Sequence, residues 1–173
     1  MYSTERNYIN QIAGRLISAL HIEIPIVSLE GVVSRLGGEI VENKALDDVH
    51  DGTIKKTGEN SFEIVISPYQ SEERRKFTIA HELGHLFLHM GYLLDSDLWS
   101  GQDDKIYKYF GTAEEEYQAN VFASALLMPG EEFEKTVSEL AEGSRVDVQQ
   151  VADHFKVSVS AAKNRGYFLG LFC

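Results

Sequence analysis

Arg75-Lys76-Phe77-Thr78-Ile79-Ala80-His81-Glu82-Leu83-Gly84-His85 is the stretch that decides how this chain is read. Ser71 is a helix cap, and the residues after it carry no breaker, so a long helix is predicted from there to about Met90. On a helix, residues i and i+4 share a face. His81 and His85 can therefore aim two imidazole nitrogens at one cation. Glu82, one residue after the first histidine, points to the side of that cation, where a carboxylate can take a proton from a water held there. Phe77, Ile79 and Ala80 before the motif, and Leu83, Leu86, Phe87 and Leu88 around and after it, bury much of the helix. A lone histidine would read as a partly exposed residue paired with a carboxylate. The complete His-Glu-Leu-Gly-His pattern among apolar neighbours reads as a metal site, because a buried helix needs a reason to carry three polar groups.

A hydrolytic zinc site takes three protein ligands and keeps a position for water. His89 does not close the set, since a continuing helix carries it roughly 12 Å along the axis from His81. It reads as a last-turn residue facing the helix dipole. The third ligand is expected from the next helix, Ala113 to Met128, capped by Thr112 and stopped at Pro129-Gly130. Its first turn offers Glu114, Glu115 and Glu116. At 100° per residue Glu116 lies above Asn120, Ala123 and Leu127, a stripe whose small members allow close approach to the histidine helix. Glu115 leans toward Ala119, Phe122 and Leu126, and Glu114 faces away. Glu116 is the first candidate and Glu115 the second; all three acids also complement the helix dipole.

Outward from this centre the periodicity changes. Tyr8, Ile9, Ile12, Leu16, Ile17 and Leu20 form one face of an N-terminal helix capped by Ser3 or Thr4, and a short helix is expected over Ser28 to Leu36, ended by Gly37-Gly38. Three strands follow, Glu39–Glu42, Gly52–Lys56 and Ser61–Ile66, with a hairpin turn at Gly58-Glu59-Asn60. Gly91 to Thr112 reads as a polar loop with aromatic residues. Helices are expected again over Glu131–Glu142, Val148–Phe155 and Ser158–Phe168. The order gives an α+β fold with a small antiparallel sheet packed on helices.

Composition sets the outer limits. The 173 residues suit one domain or a domain with a small appendix, and 43% apolar with 25% charged residues is ordinary for a globular chain. No apolar run approaches the roughly 20 residues of a membrane span. Met1 to Arg6 shows no basic patch followed by an apolar stretch, and the single cysteine, Cys173, excludes an internal disulfide framework. A cytoplasmic location is the expectation. The net charge of −11 disfavours a nucleic-acid-binding surface. Residues 145–173 carry +2, which leaves −13 on residues 1–144. A body so acidic suits a partner with a basic face.

Two segments together resemble the ImmA/IrrE family of bacterial and phage metallopeptidases: Arg75 to His85, quoted above, and Glu116-Tyr117-Gln118-Ala119-Asn120-Val121-Phe122-Ala123-Ser124-Ala125-Leu126-Leu127-Met128-Pro129. The second is the more specific, since many zinc hydrolases share the first. The resemblance implies a zincin-like fold over residues 1–144. It implies Zn²⁺ held by His81, His85 and Glu116, with Glu82 as the general base. It further implies a cytoplasmic regulatory endopeptidase that cleaves a helix-turn-helix transcriptional repressor. Oxyanion donors remain open among Tyr92, Tyr107, Tyr109 and His89, and a substrate strand is expected on a sheet edge at Thr53–Lys56.

Residues 145–173 look like a helix-turn-helix, with Arg165 on the second helix and Lys156 where a turn glycine is usual. The small positive charge makes this a unit for packing or substrate recognition, and direct DNA binding is not expected. His154 reads as a surface or capping residue. The competing class is a regulatory module that binds its partner without cleaving it, around a structural metal. Glu82 favours the enzyme, since a structural site needs no base.

Overall fold

A computed structural model describes residues 3–46, 52–102, 106–107 and 112–173. Helix α1 (Ser3–Ala19) and the short α2 (Glu30–Arg35) lead into strands β1 (Gly38–Glu42), β2 (Gly52–Gly58) and β3 (Ser61–Ile66). Helix α3 (Glu72–Leu88), a one-turn α4 (Ser96–Ser100) and a two-residue β4 (Ile106–Tyr107) come next. The chain ends with α5 (Ala113–Leu127), α6 (Gly130–Leu140), α7 (Val148–Phe155) and α8 (Val159–Phe168). This is a mixed α+β architecture, and no helix among the described residues is long and apolar enough to cross a membrane.

The sheet corrects one expectation. Its order is β1-β3-β2-β4, with β1 parallel to β3 and the other neighbours antiparallel. The hairpin at Glu59-Asn60 pairs β2 with β3, β4 takes the other edge of β2, and β1 joins the other edge of β3, where two reversals of the chain leave those strands parallel. β4 then pairs with Ile54 and Lys55, so Thr53–Lys56 is not an open sheet edge at those residues. Alternation along β3 buries Phe62, Ile64 and Ile66 toward the helices.

The segment after α3 is more ordered than a polar loop. Asp95 caps α4 by accepting from the amides of Asp97 and Leu98. Trp99 is buried, and its Nε1 donates to the carbonyl of Glu59 at 2.6 Å.

Helix α3 lies along α5 and covers β2 and β3, while α1 flanks α5 on its other side. Helix α5 is consequently apolar around much of its circumference, with Ala119, Val121, Phe122, Ala123, Ala125, Leu126 and Leu127 buried. Pro129 does not merely stop α5 but serves as the N-cap of α6. In the last helical pair, Lys156 closes α7 in the left-handed conformation at φ 53°, the role a glycine usually fills. Two buried cations tie this pair to the rest. Lys76 Nζ donates to the carbonyls of Ile26 (2.7 Å) and Phe155 (3.1 Å), and Arg165 Nε donates to that of Met128 (2.9 Å). Burial also pulls the Lys76 ammonium down to about 8.

Candidate metal centre

Two capped helices build the centre. The Ser71 hydroxyl accepts from the Arg74 amide and starts α3. Thr112 and Glu115 form a reciprocal capping box at the start of α5, so the Glu115 carboxylate is turned back onto the Thr112 amide at 2.7 Å. Glu116, one residue on, faces α3. The structure brings His81, His85 and Glu116 together. Their Nε2 atoms are 3.0 Å apart, and the two Glu116 oxygens lie 3.2 Å and 3.3 Å from His81 and His85 respectively. Two ligands at about 2.1 Å from a tetrahedral ion stand about 3.4 Å apart, so these separations suit one shared cation.

The close approach of the helices has a specific cause. A Cβ on Gly84 would meet Ala119 Cα at 2.9 Å and its carbonyl oxygen at 3.1 Å. Only glycine lets α3 and α5 touch at that point.

The outer contacts set the protonation of both rings. His81 Nδ1 is 3.0 Å from Asn120 Oδ1, an acceptor, so it carries the hydrogen and Nε2 keeps its lone pair. His89 Nε2 lies 2.8 Å from Gln118 Oε1 and donates to it. With Nε2 so engaged, His89 Nδ1 is placed to accept from His85 Nδ1, at 2.8 Å, which turns Nε2 of His85 toward His81 and Glu116. Gln118 Nε2 closes the chain by donating to Glu5 Oε1 at 2.5 Å. The two imidazole Nε2 atoms and the Glu116 carboxylate thus face one point. That is a donor set for a metal ion, and His81, His85 and Glu116 can hold one.

His85 is pushed down to about 3, by burial first and then by His81 and His89, and is neutral at physiological pH. Burial opposes protonation of His81 too, but contacts with Glu116, Glu82 and Asn120 outweigh it and raise this imidazole above its ordinary value. Hydrogen bonding to His81 holds Glu116 below the usual carboxylate range against the effect of burial. Glu82 is only 5% exposed. Gly52, at the start of β2, lies so close that a Cβ there would meet Glu82 Oε1 at 2.9 Å and Thr78 Cγ2 at 2.7 Å.

Other expectations resolve differently. Tyr92 is no oxyanion donor: it is buried, and its hydroxyl donates to the Leu36 carbonyl at 2.6 Å. Tyr109 lies outside the described residues, and Tyr107 is placed only by its backbone in β4. His89 is the C-cap of α3, and its ring turns back along the helix to bond His85 rather than merely facing the dipole. His154 is exposed on the last turn of α7, with its ring edge-on to Phe155. Sequence reasoning missed the supporting roles of Asn120, Gln118 and Glu5. Asn120 carried a usable signal, since it stands one turn after Glu116 on the same face.

The IrrE N-terminal-like domain, a peptidase family, matches residues 42–167. The chain belongs to this family. The match includes both histidines, Glu82 and Glu116, and runs through α7 into α8. A search of the curated proteins finds no match. Among solved structures, a Mycobacterium tuberculosis transcriptional regulator is similar, with a TM-score of 0.62 and 19% identity over 92% of this chain. This chain spans only 46% of that protein's length, and the likeness is one of fold.

Proposed function

We propose that this IrrE-like domain is a zinc-dependent endopeptidase of zincin-like fold that acts in the cytoplasm on a helix-turn-helix transcriptional repressor. His81, His85 and Glu116 are the metal ligands and Glu82 is the general base. The observation that carries the reading is the convergence of His81 Nε2, His85 Nε2 and the Glu116 carboxylate on one point, with a buried carboxylate next in sequence to the first ligand. A zinc ion held there supplies Lewis acidity toward a water and a peptide carbonyl. Glu82 takes the proton from the attacking water and passes it to the leaving amine. Asn120 and His89 hold the two imidazoles in the tautomer that leaves Nε2 free for the metal. Gly52 leaves room for the Glu82 side chain at the start of β2.

The family's peptidase character supports hydrolysis, and a fold shared with a transcriptional regulator is compatible with a regulatory role. Residues 1–144 form the peptidase unit, and residues 145–173 a helix-turn-helix-like segment packed on it. Burial of Arg165, bonded to Met128 and Asn10, supports packing over DNA contact. The acidic body favours a substrate with a basic face.

The test is metal content followed by incubation with a candidate repressor. Wild type binds about one zinc and cleaves; Glu82→Gln binds the same zinc and does not. Binding of the repressor without cleavage by either protein would replace the enzyme with the sequestering module.

A further inference from the structure

A second site stands beside the metal centre and uses none of its ligands. A cavity of about 700 Å³ opens between α1, α5 and α8, with Phe77 of α3 on its wall. Arg6 and Arg165 both line it, and both lie against the Phe168 ring, at 5.1 Å and 5.3 Å from its centre. Arg165 is 2% exposed. Its Nε reaches the Met128 carbonyl and its Nη2 the Asn10 side chain, yet its buried Nη1 has no partner. Arg6 donates from Nη2 to the Tyr117 hydroxyl at 2.8 Å, and its buried Nε likewise has none. Neither guanidinium is paired with a carboxylate of the described residues. That is unusual in a chain with 27 acidic residues against 16 lysines and arginines.

Burying a guanidinium is costly unless a negative charge and full hydrogen bonding offset it. Arg165 is buried without a carboxylate partner and half-buried Arg6 lines the same cavity, so two guanidinium charges border a space where the protein supplies no anion. Further donors line the same space, among them Ser124 and Asn164. The volume far exceeds one carboxylate or phosphate, and Phe77, Val121 and Phe168 make much of the wall apolar.

We propose that this cavity binds a small amphipathic oxyanion, with a carboxylate or phosphate head between Arg6 and Arg165 and an apolar body against Phe77, Val121 and Phe168. Asn120 also lines the cavity and accepts from His81, so the cavity wall includes an outer contact of the metal centre.

The experiment is calorimetric titration of the full chain with octanoate, hexyl phosphate and, as the neutral control, hexanol. Saturable binding of octanoate, hexyl phosphate or both, well above hexanol, is expected, and the pattern shows which head group is preferred. Arg6→Met, which loses the hydrogen bond to Tyr117 and the cation–π contacts with Tyr117 and Phe168, should weaken that binding at least about tenfold, as expected for a charge-assisted contact. Asn164→Asp is an isosteric change at an exposed position. It puts a competing carboxylate on the wall and should weaken binding similarly with the fold intact. Failure of both anions to exceed hexanol would overturn the site, and so would wild-type affinity in Asn164→Asp. Neither readout depends on peptidase activity.

Discussion

Substituting Gly84 by alanine tests whether the spacing of α3 and α5 sets the metal centre. The added Cβ would stand 2.9 Å from Ala119 Cα, 3.1 Å from its carbonyl oxygen and 3.3 Å from its Cβ. Ordinary carbon contacts are about 3.5–4.0 Å, so the helices must part by about 0.5–1 Å. Two of the three obstructing atoms are backbone and cannot rotate away. Overpacking of this kind costs about 1–3 kcal/mol, and the better helix propensity of alanine returns about 1 kcal/mol. A net loss of about 1 kcal/mol is expected.

The larger effect falls on the metal. Glu116 lies one turn before Ala119, and its oxygens approach the two imidazoles from across the same interface. Metal sites tolerate about 0.2 Å of ligand displacement, well under the shift required here. Gly84→Ala should therefore bind zinc at least about tenfold more weakly in a competition titration with a chromogenic chelator, while urea unfolding reports the smaller stability loss. Gly14→Ala is the matched control. It lies within α1 with nothing within 4 Å of its added Cβ, and should be stabilised by about 0.5–1 kcal/mol. Wild-type zinc affinity in Gly84→Ala would refute the argument that helix contact positions Glu116.

Three further outcomes follow from the same coordinates. His89→Ala removes the acceptor that fixes His85 and should lower zinc affinity about 10–100-fold with little change in melting temperature, read by the same titration. His81 has a raised pKa in the metal-free protein, so its contribution to stability is complete below its unfolded value of 6.5 and is lost as pH rises through the folded value. Zinc competes for the same lone pair, so its affinity moves oppositely and falls about tenfold per pH unit below the folded value; flat affinity between about pH 5.5 and pH 8 would remove His81 from the ligand set. Lys156→Gly relieves a left-handed residue at the end of α7 and should raise the melting temperature by about 2–4 °C, seen by calorimetry.

How much of this was legible in the sequence follows from how local each feature is. The two histidines were readable because i and i+4 on one helix is a fixed geometry. Glu116 was readable in part, since helical phase separates it from Glu114 and the Thr112–Glu115 capping box explains why its neighbour turns away. The stripe of small residues drawn below Glu116 had the right consequence but missed the contact, which is Gly84 on Ala119. The hydrogen-bond chain His85–His89–Gln118–Glu5 joins three helices separated by up to 113 positions, and no local pattern announces it. The parallel pairing of β1 with β3 was hidden for the same reason. Strand composition says nothing about which of the two edges left by the hairpin a strand joins.

Helix α5 explains both what the sequence concealed and how the molecule is connected. An amphipathic helix reveals its buried face by its polar one, and α5 has little polar face left because α1 and α3 cover opposite sides. The few polar residues it keeps are distributed by task. Glu116 and Asn120 turn toward the histidines, Gln118 bridges His89 to Glu5 of α1, and Tyr117 and Ser124 turn to the arginine-lined cavity. A single rigid rod therefore carries a candidate metal ligand, the Asn120 contact to His81, the Gln118 contact to His89, and part of the cavity wall. Displacement of α5 by a ligand cannot reach Ser124 and Tyr117 without also reaching Glu116 and Asn120. A ligand that closes the cavity on α5 would then change zinc affinity, whereas one that only rearranges side chains on α8 would leave it unchanged. Zinc titration with and without saturating hexyl phosphate separates the two, and an unchanged affinity would limit the cavity to binding without control.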